Sequence, residues 1–270
     1  MSQKAESLAT LDLARIRWAG LAGRERGDRQ AAGPAFVFLH GLTFDRRMWY
    51  PVLDALPSSR HAIAFDLPGH GGSPALPAGG LMPVVDALHD AILEAGLEAP
   101  VLVGHSIGGP IAAVYASVHP SSGVVSIDAP IRFEPFADRL RALGPKLAGF
   151  GFDETWALFR QSWGMDRLTE AQRGCLHERA SRELVLAYQS DLLERPLDEV
   201  VRWRDEGLSQ LGRARTPYLA LQTARVDREE RAFLAARVPQ AEVVVWSVGH
   251  HFPHVSEPVR FARLLDTVGG

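Results

Sequence analysis

The chain has 270 residues, 46% of them hydrophobic, and a formal net charge of −3. That is enough for one sizeable core in a single domain with an insertion, and the charge balance offers no basic field for nucleic acid or an anionic membrane. No run reaches the roughly eighteen apolar residues that cross a bilayer, and the opening "MSQKAESLATLDLARIRW" lacks the apolar stretch of a secretion signal. The expectation is a cytoplasmic protein acting on a small molecule, with no membrane partner. The single cysteine, Cys175, excludes an internal disulfide and a thiolate metal cluster and reads as a partly buried small residue.

Short apolar runs alternate with helical patterns, which predicts a mostly parallel sheet of about eight strands with helices on both faces. "LARIRWAGL" (13–21) reads as an opening strand that could form a hairpin with the residues after it, and "GRERGDRQAAGP" as a solvated turn. "AFVFLHG" is a short apolar strand ending in His40 and Gly41, and "MWYPVLDALP" has helical spacing that stops at Pro57. "HAIAFDLPGHGGS" gives a strand and a glycine-rich loop. "LMPVVDALHDAILEAGL" is an amphipathic helix closing at Gly96, with Leu88, Ile92 and Leu93 on one face. "PVLVGHS", "IGGPIAAVYASVHP" and "SGVVSIDAP" continue as strand, helix and strand.

From about residue 133 to 212 only helical patterns appear, among them "DETWALFRQSW", "TEAQRGCLHERASRELVLAYQSDLLE" and "LDEVVRWRDEGL". The alternation resumes with "TPYLALQT", "REERAFLAARV", "AEVVVWSV" and "EPVRFARLLDTV". The expected organisation is therefore one sheet domain, residues 1–132 and 213–270, interrupted by a helical lid, residues 133–212.

Gly104, Ser106 and Gly108 fit G-x-S-x-G between a strand and a helix. A serine on such a turn projects its hydroxyl clear of the sheet, its neighbours two positions away must be small, and the Ile107 N–H lies at a helix N-terminus where negative charge is favoured. Upstream, the Leu42 N–H just beyond His40-Gly41 is the candidate second donor for a tetrahedral oxyanion, with His40 as a residue that ties its loop. A serine hydroxyl needs an imidazole to take its proton. "WSVGHHFPHVSEPVRF" supplies His250, His251 and His254, of which His254 is expected to fix the loop. The carboxylate that orients the imidazole is Asp227, after "PYLALQTARV", with Asp128 at the end of "VVSIDAP" as the rival.

These four motifs, His40-Gly41-Leu42, Asp66-Leu67-Pro68-Gly69-His70-Gly71, Gly104-His105-Ser106-Ile107-Gly108-Gly109 and the run from Gly249 to Pro258, resemble the α/β-hydrolase superfamily over essentially the whole chain. The likeness is to its lid-bearing branch, which holds esterases, C–C bond hydrolases, cofactor-free haloperoxidase-like enzymes and epoxide hydrolases. It implies an α/β-hydrolase fold and places the base at His251, since "HFPHxxxP" usually begins with the catalytic histidine. The doubled His250-His251 leaves the neighbour as alternative, and "QTARVD" lacks the glycine commonly found before the acid, which keeps Asp128 alive. Serine rather than aspartate at the elbow implies hydrolysis of an ester or related acyl bond through an acyl-serine, with no metal or organic cofactor. A C–C hydrolase of a β-diketone-like substrate, or a ligand receptor on the same fold, are the alternatives. Trp156, Phe159, Trp163 and Met165 stand at helix-compatible spacing in the expected lid. Most of them should pack it onto the sheet domain, with one or two of Trp156, Phe159 and Trp163 walling an apolar substrate pocket.

Overall fold

The computed structural model describes residues 16–268. The first three residues of the expected opening strand, 13–15, lie outside them. Eight strands, β1 (Ile16–Trp18), β2 (Leu21–Arg26), β3 (Phe36–Leu39), β4 (Ala62–Phe65), β5 (Val101–His105), β6 (Gly123–Ile127), β7 (Tyr218–Gln222) and β8 (Glu242–Val245), form one sheet in the order β1-β2-β4-β3-β5-β6-β7-β8. β2 pairs antiparallel with β1 and β4, and every other pairing is parallel.

The central strands read as unbroken apolar runs because helices cover both of their faces. Phe36, Phe38, Val101, Val103, Val125 and Ile127 pack on one side against Trp49, Val52 and Leu53 of the 3-10 turn Arg46–Trp49 and α1 (Tyr50–Ala55), and against Phe261 and Leu265 of α11 (Pro258–Leu265). Val37, Leu39, Ile63, Phe65, Leu102 and Val124 pack on the other against α2 (Leu81–Glu94) and α3 (Gly108–Val118). α2 buries Val84, Val85, Leu88, Ala91 and Ile92, but Leu93 is exposed, because one further helical step of about 100° carries it off the apolar stripe.

Two local expectations are corrected. The hairpin expected at the opening strand forms, but its turn falls inside the run 13–21 rather than after it: Ala19 and Gly20 both have positive φ and make a two-residue turn between β1 and β2. The first four residues of "GRERGDRQAAGP" belong to β2 rather than to a solvated turn. Their polarity is tolerated because partners satisfy the side chains, Arg26 with Asp54 at 2.7 Å and Glu25 with the buried His61 at 2.7 Å, while the Arg24 guanidinium lies 4.1 Å from the Tyr50 ring centre.

Between β6 and β7 the chain is helical: α4 (Glu134–Ala148), α5 (Phe152–Gln161), a 3-10 turn Met165–Arg167, α6 (Glu170–Arg173), α7 (Arg182–Glu194) and α8 (Leu197–Ala214). The stretch 169–194 is two helices rather than one pattern, since Thr169 and Ser181 each cap a separate start. α7 is fastened to the sheet layer at three points. Tyr188 Oη–H donates to the Pro68 carbonyl at 2.8 Å, Gly80 N–H to the Ala187 carbonyl at 2.8 Å, and Leu81 N–H to Asp191 Oδ2 at 2.9 Å. Past β7 and β8 come α9 (Arg228–Arg237) and α10 (Pro253–Ser256). Among the described residues no helix is long and apolar enough to cross a membrane.

Candidate active site

In an open parallel sheet the loops beyond the carboxyl ends of the strands converge where the strand order reverses, here beside β3 and β5. Ser106 follows β5 directly and takes φ +53°, the left-handed region that a non-glycine residue enters only when its surroundings force it. The forcing is visible in its glycines. A Cβ on Gly104 would stand 2.0 Å from the Gly108 carbonyl oxygen, and one on Gly108 would stand 2.5 Å from that of Leu39, so strand and helix meet with no room for side chains. The Ser106 N–H donates to the Ile127 carbonyl at 2.9 Å. Among the described residues neither the Leu42 nor the Ile107 N–H has an acceptor within the protein.

The loop carrying Leu42 is held from both sides by neutral histidines. His40 Nε2 accepts the Leu67 N–H at 2.9 Å, so its Nδ1–H donates to the Gly41 carbonyl at 2.8 Å. His70 Nε2 accepts the Thr43 N–H at 3.0 Å, leaving its Nδ1–H for the Pro68 carbonyl at 3.0 Å. Burial pushes His40 down to about 4 and His70 down to about 3, which keeps both rings uncharged acceptors. Leu42 thus stands between two pinned residues, and the expectation that His40 ties this loop agrees with its bonds.

His251 Nδ1–H donates to Asp128 Oδ2 at 2.6 Å. Asp128 follows β6 with φ +48°. Its other oxygen accepts both the Thr223 N–H at 2.8 Å and the Thr223 hydroxyl at 2.7 Å. Burial raises the Asp128 carboxyl, but the His251 and Thr223 hydrogen bonds outweigh it, and the group lies below the ordinary aspartate range. The favoured acid, Asp227, is not at this site. It caps α9, accepting the Glu230 N–H at 2.8 Å while the Glu230 carboxylate accepts its own N–H at 3.0 Å. A capping box so close behind β7 occupies the carboxylate locally, and the carboxylate beside His251 comes from one strand earlier. Thr223 is missed by the sequence reading; its signal is that it follows β7 in "QTARVD", where the usual glycine is missing.

The remaining imidazoles divide by partner. His250 Nδ1 accepts the Phe252 N–H at 3.1 Å, and burial holds its pKa below the usual value. His105 Nε2–H donates to the His251 carbonyl at 2.7 Å. His254 lies inside α10, its ring 4.3 Å from that of Trp49, with no hydrogen bond on either nitrogen among the described residues, so what it contributes to the loop it contributes by packing. Cys175 is half-buried and its thiol is pushed up to about 11 by burial.

Ser106, Asp128 and His251 line one cavity of about 560 Å³ that is bounded above by the helices between β6 and β7. Leu42, Ile107, Trp156, Phe159, Trp163 and His250 line it too, whereas Met165 packs with the cluster around Trp49 instead. Trp156 is anchored by its indole N–H to Glu178 Oε1 at 2.8 Å. Among the described residues no group of three or more histidine, cysteine or carboxylate side chains is placed to hold a metal.

A model of the alpha/beta hydrolase family matches residues 36–264. The 2-succinyl-6-hydroxy-2,4-cyclohexadiene-1-carboxylate synthase of Salmonella paratyphi B is 39% identical over 87 residues, 32% of this chain and 34% of that protein. The chain therefore spans about a third of the length of the curated relatives it matches. An esterase from Thermogutta terrifontis, solved with malate, superposes with a TM-score of 0.73 at 21% identity, over 94% of this chain and 97% of that one. The enol-lactonase of Burkholderia xenovorans LB400 does so at 0.72 and 17%, over 93% and 97%. Likeness at these identities carries the fold.

Proposed function

Because the chain belongs to the α/β-hydrolase family, we propose that it is a serine hydrolase that cleaves an ester or related acyl bond of a small, largely apolar substrate through an acyl-Ser106 intermediate. The observation that carries this reading is the 2.6 Å pair of His251 Nδ1 with Asp128 in the same cavity wall as the left-handed Ser106. His251 Nε2 takes the Ser106 proton as the hydroxyl oxygen attacks the acyl carbon. The Leu42 and Ile107 N–H groups hold the resulting oxyanion, and Asp128 stabilises the imidazolium. Collapse expels the leaving oxygen, which takes the imidazolium proton. Water, deprotonated by the same nitrogen, then attacks the acyl-serine and frees the acid. These steps draw only on the chain and water. In this reading residues 133–212 act as a lid, with Trp156, Phe159 and Trp163 as an aromatic wall that selects apolar acyl or aromatic groups.

The test is hydrolysis of p-nitrophenyl esters of increasing acyl length by wild type and Ser106→Ala, with mass spectrometry after a fluorophosphonate. The expected result is a label on Ser106 and a loss of about 10⁶ in turnover in the variant. An unlabelled Ser106 with equal rates in both proteins overturns the reading.

A further inference from the structure

Trp156 borders two cavities. The first is the space of about 560 Å³ that holds Ser106, and the second, of about 330 Å³, is lined by α5 and by the segment that follows α6. Among the described residues Trp156 is the one that lines both. Its indole is held between walls that belong to one cavity or the other. The rings of Trp163 and Phe159, which line the first cavity and not the second, stand 5.6 and 5.9 Å from it. The Phe152 ring lies parallel to it at 6.2 Å, and Glu178 Oε1 accepts the indole N–H at 2.8 Å; these two residues line the second cavity and not the first.

Glu178 is itself fixed. Its second oxygen pairs with Arg160 Nε at 2.7 Å. The next residue, Arg179, donates its N–H to the Thr43 carbonyl at 2.7 Å, and Leu176 is buried in the cluster around Trp49. The carboxylate that holds the indole is therefore tied to the loop that carries the Leu42 N–H. A buried indole N–H is costly to leave unpaired, so the bond to Glu178 decides which way the ring faces. Trp163, on the near side, has its ring 6.4 Å from that of His251. An apolar arm that leaves Ser106 along Trp163 thus meets the Trp156 ring, with open space behind it.

We propose that Trp156 is the partition that limits the length of the substrate's apolar arm, with Glu178 as its positioning residue. This rests on the acyl-serine reading for the reaction and on the two cavities alone for the partition. The first arm of the test measures kcat/KM over two series, p-nitrophenyl esters from acetate to dodecanoate and alkyl acetates from methyl to dodecyl. In wild type kcat/KM should rise by up to about fourfold per methylene while the arm gains apolar wall, then break off where it meets the indole. Trp156→Ala should move that break by about two methylenes or more, a gain of about tenfold for esters beyond the wild-type limit. Trp156→Leu, the milder truncation, should move it partway, and it carries the test if Trp156→Ala does not fold. Glu178→Leu, which frees the ring, should also move it partway, whereas Glu178→Gln, which still accepts from the indole, should restore the wild-type break. A break that moves in one series assigns that arm of the ester to the Trp156 side. No break in wild type, or breaks unmoved in both series with Ser106 still labelled by a fluorophosphonate, overturns the partition and leaves the nucleophile assignment standing. The second arm measures binding of 2-alkanones of rising length by calorimetry to Ser106→Ala, alone and combined with Trp156→Ala, which needs no turnover. Affinity should stop growing at a shorter chain in the first protein than in the second. The same limit in both overturns the partition whether or not esters are hydrolysed, and a moved limit with no ester turnover in wild type overturns the chemistry alone.

Discussion

The His251 N–H donates to the Trp163 carbonyl at 2.9 Å, so the loop that carries the imidazole hangs from the helical segment above it as well as from the sheet. From below, the His251 carbonyl accepts the His105 Nε2–H at 2.7 Å. The two rings of Trp163 and His251 lie near parallel, 21° apart with centres separated by 6.4 Å. A change in the helical segment next to this contact should therefore reach the His251 imidazole, the proposed base.

Gly164 is the position to change. Its φ is +64°, and a Cβ there would stand 2.9 Å from the Gly249 oxygen and 3.2 Å from His250 Cα. Gly164→Ala costs roughly 1–2 kcal/mol for the left-handed conformation and must displace residues 249–250, next to His251, to make room. Displacement of a catalytic group on the order of 1 Å costs about 100-fold, so kcat for a p-nitrophenyl ester should fall roughly 10- to 100-fold. Unchanged kcat would show that the Trp163 contact does not set the His251 position.

Asp128 and Asp227 make opposite predictions. Asp128→Asn keeps the shape but turns a carboxylate that accepts from His251 into an amide, which favours the wrong tautomer; about 10⁴ in kcat should be lost. Asp227→Ala removes the α9 cap and should cost about 1 kcal/mol of stability with kcat intact. Steady-state rates and denaturant midpoints for both variants decide it, and a large kcat loss in Asp227→Ala would reverse the assignment.

The sheet was legible because its strands are short β-branched and aromatic runs that no amphipathic helix would produce, and the elbow because only glycines fit at 104 and 108. The acid was not. Asp227 and Asp128 both follow apolar strands, and what separates them is a contact across 123 residues, to His251, that no local pattern encodes. The polar half of β2 was read as a turn for a related reason. Arg24, Glu25 and Arg26 look like a loop until partners more than 20 residues away satisfy them.

His70 tests how the Leu42 N–H is aimed. His70→Phe preserves the ring, which meets Tyr188 edge-on at 5.0 Å, but removes the acceptor for the Thr43 N–H. A buried donor left unpaired costs about 1–3 kcal/mol, and the loop relaxes to recover it. Losing one oxyanion donor outright costs about 10²–10³ in kcat, so a loosened one should cost about tenfold or somewhat more, with His70→Gln, which can still accept, recovering part of it. Equal kcat in wild type and His70→Phe would separate this histidine from the oxyanion site.

Acid should destabilise the fold through its buried histidines. Burial lowers His40 to about 4 and His70 to about 3, and holds His105 and His254 well below the usual histidine range. In the unfolded chain these rings titrate near 6.5. Below that pH the unfolded chain binds protons that the native protein refuses, so stability is fully present at pH 7 and falls as pH drops from about 6.5 toward 4. Each such ring contributes up to about 1.4 kcal/mol per pH unit. Asp128, whose folded value is depressed, adds its own loss only near and below about 3.9, outside this window. His254 isolates one proton of the slope. Its ring packs against Trp49 and Phe261 with both nitrogens unbonded among the described residues. His254→Phe should therefore be neutral or stabilising at pH 7, because it removes buried polar atoms with no partner to strand. Urea unfolding at pH 7, 6 and 5 should show the variant losing less stability than wild type by about 1.4 kcal/mol per unit at most. Identical pH slopes in the two proteins would mean that His254 does not stay neutral in the folded core.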